Sequence, residues 1–189
     1  MNEKISRKKK LKKNSTIKKI LLPVVFLDRD GTINYDYGYV HKFSKFKFRP
    51  YVIKGLKYLI QKNYLIFIIT NQAGIAKGKF KISDLNKLHR KIKQYLKKRG
   101  IIINGIEYCP YHPKGIVKIY TKKTAYRKPG NLMIKEIYKK WNINIKKSFM
   151  LGDRKTDKVA ANKSKLYYEY VKPNFLKQVQ SINKKINNY

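Results

Sequence analysis

Only ten acidic residues stand among 47 lysines and arginines in this 189-residue chain, so where the acids fall is informative. Six of them are aspartates: Asp28, Asp30, Asp36, Asp84, Asp153 and Asp157. Asp28 and Asp30 lie in the segment DRD, and Asp153 and Asp157 lie in GDRKTD. Each cluster directly follows an apolar run, VVFL or SFML. Surface acids surviving at random have no reason to gather at the ends of apolar runs. Asp28, Asp30 and Asp153 offer hard oxygen ligands suited to Mg²⁺. Thr70 and Asn71, after the run LIFII, offer neutral hydrogen bonds, and Lys128 a fixed cation. Acids, a divalent metal, a lysine and a hydroxyl together suit phosphoryl transfer. The cations neutralise phosphate charge so that an anionic nucleophile can approach.

Two acids at i and i+2 just beyond a strand can take different jobs. Asp28, closer to the metal and the lysine, is expected to stay ionised and attack phosphorus. Asp30 is expected to protonate the leaving oxygen and then to deprotonate the water that hydrolyses the aspartyl-phosphate. A free Asp carboxyl titrates near ~3.9. The site is therefore expected to raise the pKa of Asp30, through the neighbouring Asp28 charge, as the leaving oxygen approaches. Singly these signals are weak. DxD is frequent in turns, Thr70 is an ordinary strand-end residue, and Lys128 is one lysine of many. Asp30 and Asp157 could also be turn or helix-capping residues. The ordered conjunction of DxDGT, Thr, Lys and GDxxxD carries the inference.

These residues need elements to hold them. Buried strands are predicted at 24–27, 64–70, 105–109, 148–152 and 166–171. Helices are predicted at 52–62, after a possible Ser83 cap, and at 131–141, 156–163 and 173–186, the last with Pro173 at its start. Gly100 is expected to stop the second helix. Short apolar strands alternating with helices imply an α/β fold, a Rossmann-like doubly wound parallel sheet. Such sheets bind ligands beyond the carboxyl ends of their strands. DRDGT, TNQ and GDRKTD all follow predicted strands.

Composition sets outer bounds. The length suits one domain over 21–189, preceded by a basic and disordered arm at 1–20. The net charge is +37. Lys, Ile, Asn and Tyr share A/T-rich codons, so drift explains the excess without a selected binding surface. The competing reading is a functional basic surface. No apolar span reaches the ~20 residues a membrane crossing needs, and ILLPVVFL leads into DRDGT rather than a cleavage site. Cys109 is the only cysteine, so no internal disulfide can form and a reducing, cytoplasmic setting fits.

FLDRDGTIN, DYGYVH, TNQAGIAKGKF, YCPYHP, RKP and MLGDRKTD together resemble the haloacid dehalogenase superfamily. Within it they are similar to the D-glycero-D-manno-heptose-1,7-bisphosphate 7-phosphatases, over about Val24 to Val171. The resemblance implies a minimal cap, Asp28 as nucleophile and Asp30 as general acid/base. It implies Mg²⁺ held by the Asp28 carboxylate, the Asp30 backbone carbonyl and Asp153. It implies phosphoryl contacts from Thr70 and Lys128, and substrate contacts from Asp36, Tyr37, Gly38, Tyr39, Asn71, Gln72, Ala73, Arg127 and Arg154. Its expected setting is ADP-heptose and lipopolysaccharide core biosynthesis, acting on a small sugar phosphate as a monomer. Relatives staple the connection before RKP with zinc through a C-x-H and a C-x-C pair. Here those positions read Cys109 with Tyr111, and Thr124 with Tyr126. His112 supplies at most a second ligand, short of the four a structural zinc site needs, so zinc is expected to be absent. Packing by Tyr111, Tyr120 and Tyr126 is expected to hold the connection instead. The competing readings are a histidinol-phosphate phosphatase, a nucleic-acid 3′-phosphatase, and a binding protein without turnover. The lysines form no evident aromatic-interleaved stripe, which counts against nucleic acid.

Overall fold

A computed structural model describes residues 20–188. The expected arm at 1–20 therefore lies almost wholly outside the described residues. Five parallel strands form one sheet: β1 (Val24–Leu27), β2 (Leu65–Asn71), β3 (Gly105–Cys109), β4 (Phe149–Gly152) and β5 (Tyr167–Tyr170), in spatial order β3-β2-β1-β4-β5. Five helices connect and close them: α1 (Val52–Gln61), α2 (Ile82–Lys97), α3 (Leu132–Lys140), α4 (Lys155–Lys163) and α5 (Phe175–Asn187).

Period-two alternation sorts the strand side chains onto two faces. Val25, Leu27, Ile66, Ile68, Phe149 and Leu151 pack against Leu56 and Leu59 of α1, Leu88 and Ile92 of α2, and Val179 of α5. Val24, Phe26, Phe67, Ile69 and Met150 pack against Met133, Ile134 and Ile137 of α3, and Ala160 and Ala161 of α4. Both faces are covered, which is why β1 and residues 65–69 of β2 are apolar at every position.

The first strand, β1, lies in the middle of the sheet. β2 and β3 wind outward to one side of β1, then β4 and β5 to the other. The order reverses between β1 and β4, and the crevice beyond their carboxyl ends is where a doubly wound sheet binds ligands. Asp28 and Asp153 stand just past those two ends.

The predicted strands and helices are all present, with shifted edges. The second helix is not capped by Ser83, which lies inside its first turn. Asp84 Oδ2 instead accepts from the Lys81 amide (2.9 Å). A carboxylate there satisfies an orphan donor and suits the positive helix end. Pro173 does not open the last helix either. The Asn174 side chain accepts from the Lys177 amide (3.0 Å), and the helix runs from Phe175.

No separate cap domain covers the site among the described residues. The segment after β1 leaves and returns through an antiparallel bridge between Asn34 and Phe48. Its aromatic residues Phe43 and Phe48 pack on Tyr95 of α2. The connection after β3 clasps the loop after β2, since the Ile116 and Val117 amides both donate to Ala76 O (2.8 and 3.0 Å).

Candidate active site

Asp28 is fixed by its backbone, whose amide donates to Leu151 O of β4 (3.0 Å). Lys128, 100 residues later, is buried against it, with Nζ 2.5 Å from Asp28 Oδ1. The same ammonium lies 2.7 Å from Asp157 Oδ1 and donates to Ile69 O (2.8 Å). Its backbone is held by Asn71. The Lys128 amide donates to Asn71 Oδ1, and Asn71 Nδ2 donates back to Lys128 O, both at 3.0 Å. Asn71 at the end of β2 therefore sets where the lysine begins, and two aspartates set where it ends.

Carboxylate oxygens of Asp28, Asp153 and Asp157 all lie within 4.8 Å of one another. Asp153 Oδ1 is buried with no hydrogen-bond partner among the described residues. Two glycines make the crowding possible. Gly31 has φ +84°, and a Cβ on it would lie 2.3 Å from Asp153 Oδ2. A Cβ on Gly152 would lie 2.4 Å from Asp157 Cβ. Three gathered carboxylates, one with an unpartnered buried oxygen, fit a hard divalent cation such as Mg²⁺.

The two paired acids sit in opposite electrostatic surroundings. Burial, only partly offset by Lys128 and reinforced by Asp157, pushes the Asp28 carboxyl up to about 7. Asp28 is thus not held firmly ionised by its protein neighbours. A cation against the same oxygens favours the ionised form. Burial also disfavours the Asp30 charge, but Arg29, Asn34 and Gln72 outweigh it and hold that carboxyl below the usual range. The expected rise belongs to the moment the leaving oxygen approaches; in the structure Asp30 faces donors. Arg29 Nη2 lies 2.8 Å from Asp30 Oδ2, Asn34 Nδ2 donates to Oδ1 (3.0 Å), and Gln72 Nε2 donates to Oδ2 (2.9 Å). Gln72 Nε2 also contacts Thr70 Oγ1 (2.9 Å), which ties the two strand ends together.

A cavity of about 480 Å³ opens above these groups. Of the residues singled out in the sequence, Asp28, Asp30, Asp36, Gly38, Tyr39, Thr70, Asn71, Gln72, Ala73, Arg127, Lys128 and Arg154 line it. Asp153 sits beneath, in the carboxylate cluster. Tyr37 does not line the cavity: it is 58% exposed and stacks on Tyr35 (centroids 6.0 Å apart). Gly38 and Tyr39, which follow it at positive φ, do line the cavity. Asp36 and Arg154 meet across the mouth at 2.9 Å. Lys77 and His112 also line the cavity and were missed. Lys77 Nζ donates to Tyr39 OH (3.2 Å), joining two loops. Asp157 was legible only as part of GDxxxD. Arg29 left a signal too, a cation between two acids, but its burial was not readable.

The donor set around Cys109 does not fit zinc. The thiol is buried and contacts Tyr111 O (3.8 Å), and tyrosines and a threonine stand at the other staple positions. Tyr126 OH donates to Glu107 (2.7 Å), Tyr111 meets Tyr120 (centroids 6.1 Å apart), and Lys122 Nζ lies 4.2 Å above the Tyr111 ring.

Residues 23–180 match the family model described as polynucleotide kinase 3 phosphatase. The chain is 42% identical over 138 residues to a D-glycero-beta-D-manno-heptose-1,7-bisphosphate 7-phosphatase of Haemophilus ducreyi, covering 72% of this chain and 75% of that protein. It belongs to this family of haloacid-dehalogenase-like phosphatases. Another member, from Photorhabdus laumondii, is named for the alpha anomer and is 41% identical over 136 residues, covering 72% and 74% of the two chains. The solved D,D-heptose 1,7-bisphosphate phosphatase of B. bronchiseptica, complexed with magnesium and phosphate, superposes with a TM-score of 0.72 at 22% identity. It covers 88% of this chain and 97% of that one, and at such identity it speaks for the fold alone. A haloacid-dehalogenase-like phosphatase from Mesorhizobium loti gives a TM-score of 0.79 at 23% identity, over 88% of both chains.

Proposed function

We propose that this phosphatase removes the 7-phosphate of D-glycero-D-manno-heptose 1,7-bisphosphate, through an aspartyl-phosphate on Asp28. The carrying observation is Lys128, buried between Asp28 and Asp157 at the edge of the carboxylate cluster. A lysine there neutralises the nucleophile's neighbourhood and offers its ammonium to phosphoryl oxygens.

Asp28 Oδ forms a bond to phosphorus as the bond from phosphorus to the sugar oxygen breaks. Asp30 supplies the proton that the leaving oxygen needs. Asp30 then takes a proton from water, whose oxygen attacks phosphorus and frees Asp28 and inorganic phosphate. Asp30 must carry a proton for the first step. The approach of an anionic leaving oxygen in place of the Gln72 and Asn34 amides favours that form. Asp28, Asp153 and the Asp30 carbonyl would hold Mg²⁺, with Asp157 close by. The ion when bound supplies Lewis-acid stabilisation of phosphoryl charge. Thr70 and Asn71 orient the transferring group, and Asp36, Gly38, Tyr39, Gln72, Ala73, Arg127 and Arg154 face the rest of the sugar phosphate.

The cationic wall of Arg127, Arg154 and Lys77 supports a substrate with a second anionic group. The reading places the enzyme in ADP-heptose supply for lipopolysaccharide, in the cytoplasm, working as a monomer without zinc. No helix of the described residues is long and apolar enough to cross a membrane. The test is Mg²⁺-dependent phosphate release from both anomers of the heptose bisphosphate, histidinol phosphate and 3′-phosphorylated DNA. One bisphosphate anomer is expected to give the highest kcat/KM. Preference for histidinol phosphate or DNA would replace this reading.

A further inference from the structure

Arg29 carries a full charge with no solvent exposure, in the floor of the site rather than its wall. Three groups surround its guanidinium. Nε and Nη2 face both oxygens of Asp30 at 2.8–3.2 Å, and Nη2 also donates to Val40 O (2.7 Å). Nη1 faces His89 Nε2 at 3.1 Å. An arginine only donates, so His89 Nε2 must accept, which fixes the neutral imidazole with its proton on Nδ1. His89 projects from the buried face of α2 between Leu85, Leu88 and Ile92, and its ring meets the edge of Tyr108 of β3 (centroids 5.6 Å apart). It touches neither the cavity nor the carboxylate cluster.

We propose that His89 is a positioning residue: its imidazole holds the Arg29 guanidinium where it fixes the angle of the Asp30 carboxyl. The proposal rests on the reading of Asp30 as the proton donor. Its physical basis is the unmet donor left behind if His89 is lost. Nη1 is then buried without its acceptor, and a buried unpaired charged donor rotates to find another. Val40 O is the other fixed acceptor, so the guanidinium would pivot on Nη2 and lose its paired grip on Asp30. A helix side chain makes a better anchor than a loop one because α2 is packed along its length. A histidine that merely fills the core would influence folding and leave proton transfer alone.

Leaving-group dependence separates the two. An alkoxide needs a proton as it departs, whereas p-nitrophenolate does not, and kcat/KM reports the step in which Asp30 is the acid. His89→Leu is expected to lower kcat/KM for the sugar phosphate on the order of 10-fold to 100-fold, part of a full general-acid contribution. The value for p-nitrophenyl phosphate is expected to stay within about threefold, as this chemistry asks no proton of Asp30. His89→Gln puts an amide oxygen near the Nε2 position and is expected to restore most of the loss. If His89→Leu does not fold, His89→Asn decides: its amide is too short to reach Nη1, so the same selective loss is expected. Equal loss on both substrates, or none on either, overturns the proposal. Asp30→Asn in the same pair of assays tests the underlying role. If Asp30→Asn shows no leaving-group selectivity, the acid assignment itself fails. If Asp30→Asn is selective and the His89 variants are not, only the positioning role fails.

Discussion

Lys128 and Asp28 form the shortest ion pair described in the molecule, yet the protein alone does not keep Asp28 charged. Its carboxyl sits at about 7 in the folded chain against 3.8 for the free group. Between about pH 4 and 7 the native state therefore holds a proton that the unfolded state has released. Stability from this group falls as pH rises through that window and is flat above it. His89 works oppositely: burial, then the Arg29 charge, depress it to about 3, so its contribution rises with pH from about 3 to 6.5. Comparing variant with parent separates the two. Metal-free Asp28→Asn is expected to melt higher than the parent at pH 8 and to lose most of that advantage at pH 4. Equal differences at both pH values in thermal melts would contradict this. Lys128→Gln removes the cation seated between Asp28 and Asp157. Mg²⁺-dependent phosphate release is expected to fall on the order of 10²–10³-fold, the scale for losing one preorganised charge at the reacting group. A loss below tenfold in steady-state assays would remove Lys128 from the reacting centre. At this scale the catalytic acids and Thr70 were legible because they follow apolar runs directly, and Lys128 only through its order among those motifs. The sequence did not disclose what Asp30 faces, since Gln72 on Asp30 and His89 on Arg29 come from far along the chain.

Elements explain how Arg127 and Lys128 arrive at the site. The connection from Cys109 to α3 is tied at three places: to Ala76 through two amides, to itself through His112 and Tyr120, and to β3 through the Tyr126 hydroxyl on Glu107. Arg127 adds a long contact to Tyr111 O (3.4 Å). Tyr126→Phe keeps the ring on the α3 face of the sheet and deletes only the hydroxyl. It is expected to cost about 1 kcal/mol, the usual net worth of one hydrogen bond, with Glu107 still open to water. Because Lys128 lies two residues on, faster amide exchange across 111–127 and a several-fold rise in KM are expected. An unchanged exchange rate would show that the hydroxyl does not hold this connection. Strand positions were legible from buried runs and their alternation with helices, as with GIEYC at 105–109. Cap identities were not, as Ser83 and Pro173 show, because a carboxylate at Asp84 and an amide at Asn174 were better placed to reach the free backbone amides. The Tyr39–Lys77 bridge was equally hidden, since it depends on how two separate loops fold toward each other.

The charge of +37 belongs to the whole molecule, and its meaning depends on whether the field as a whole or a few fixed cations govern catalysis. Arg127, Arg154, Lys77 and Lys128 already face the cavity from three different segments. A phosphate within their reach interacts directly, whereas lysines elsewhere act through solvent and are screened beyond ~8 Å at physiological ionic strength. The basic segment 1–19, which lies outside the described residues, adds charge but none of the named site residues. If the basic composition is drift over a solvated surface, removing that segment leaves catalysis alone. Deletion of residues 1–19 is therefore expected to keep kcat/KM for the bisphosphate within about twofold at physiological salt, because screening limits what distant charge can do. Lowering the salt lengthens the screening distance to ~30 Å at 0.01 M, where steering by distant lysines becomes visible as a higher rate in the full chain than in the deletion. A large loss at physiological salt would instead mean that the segment reaches the substrate or the site. Substituting Lys77 by Met makes the matching local change with one charge. It is expected to raise KM for the bisphosphate more than the whole deletion does, at either salt, because Lys77 is placed at the cavity and the segment's charges, in this account, are not.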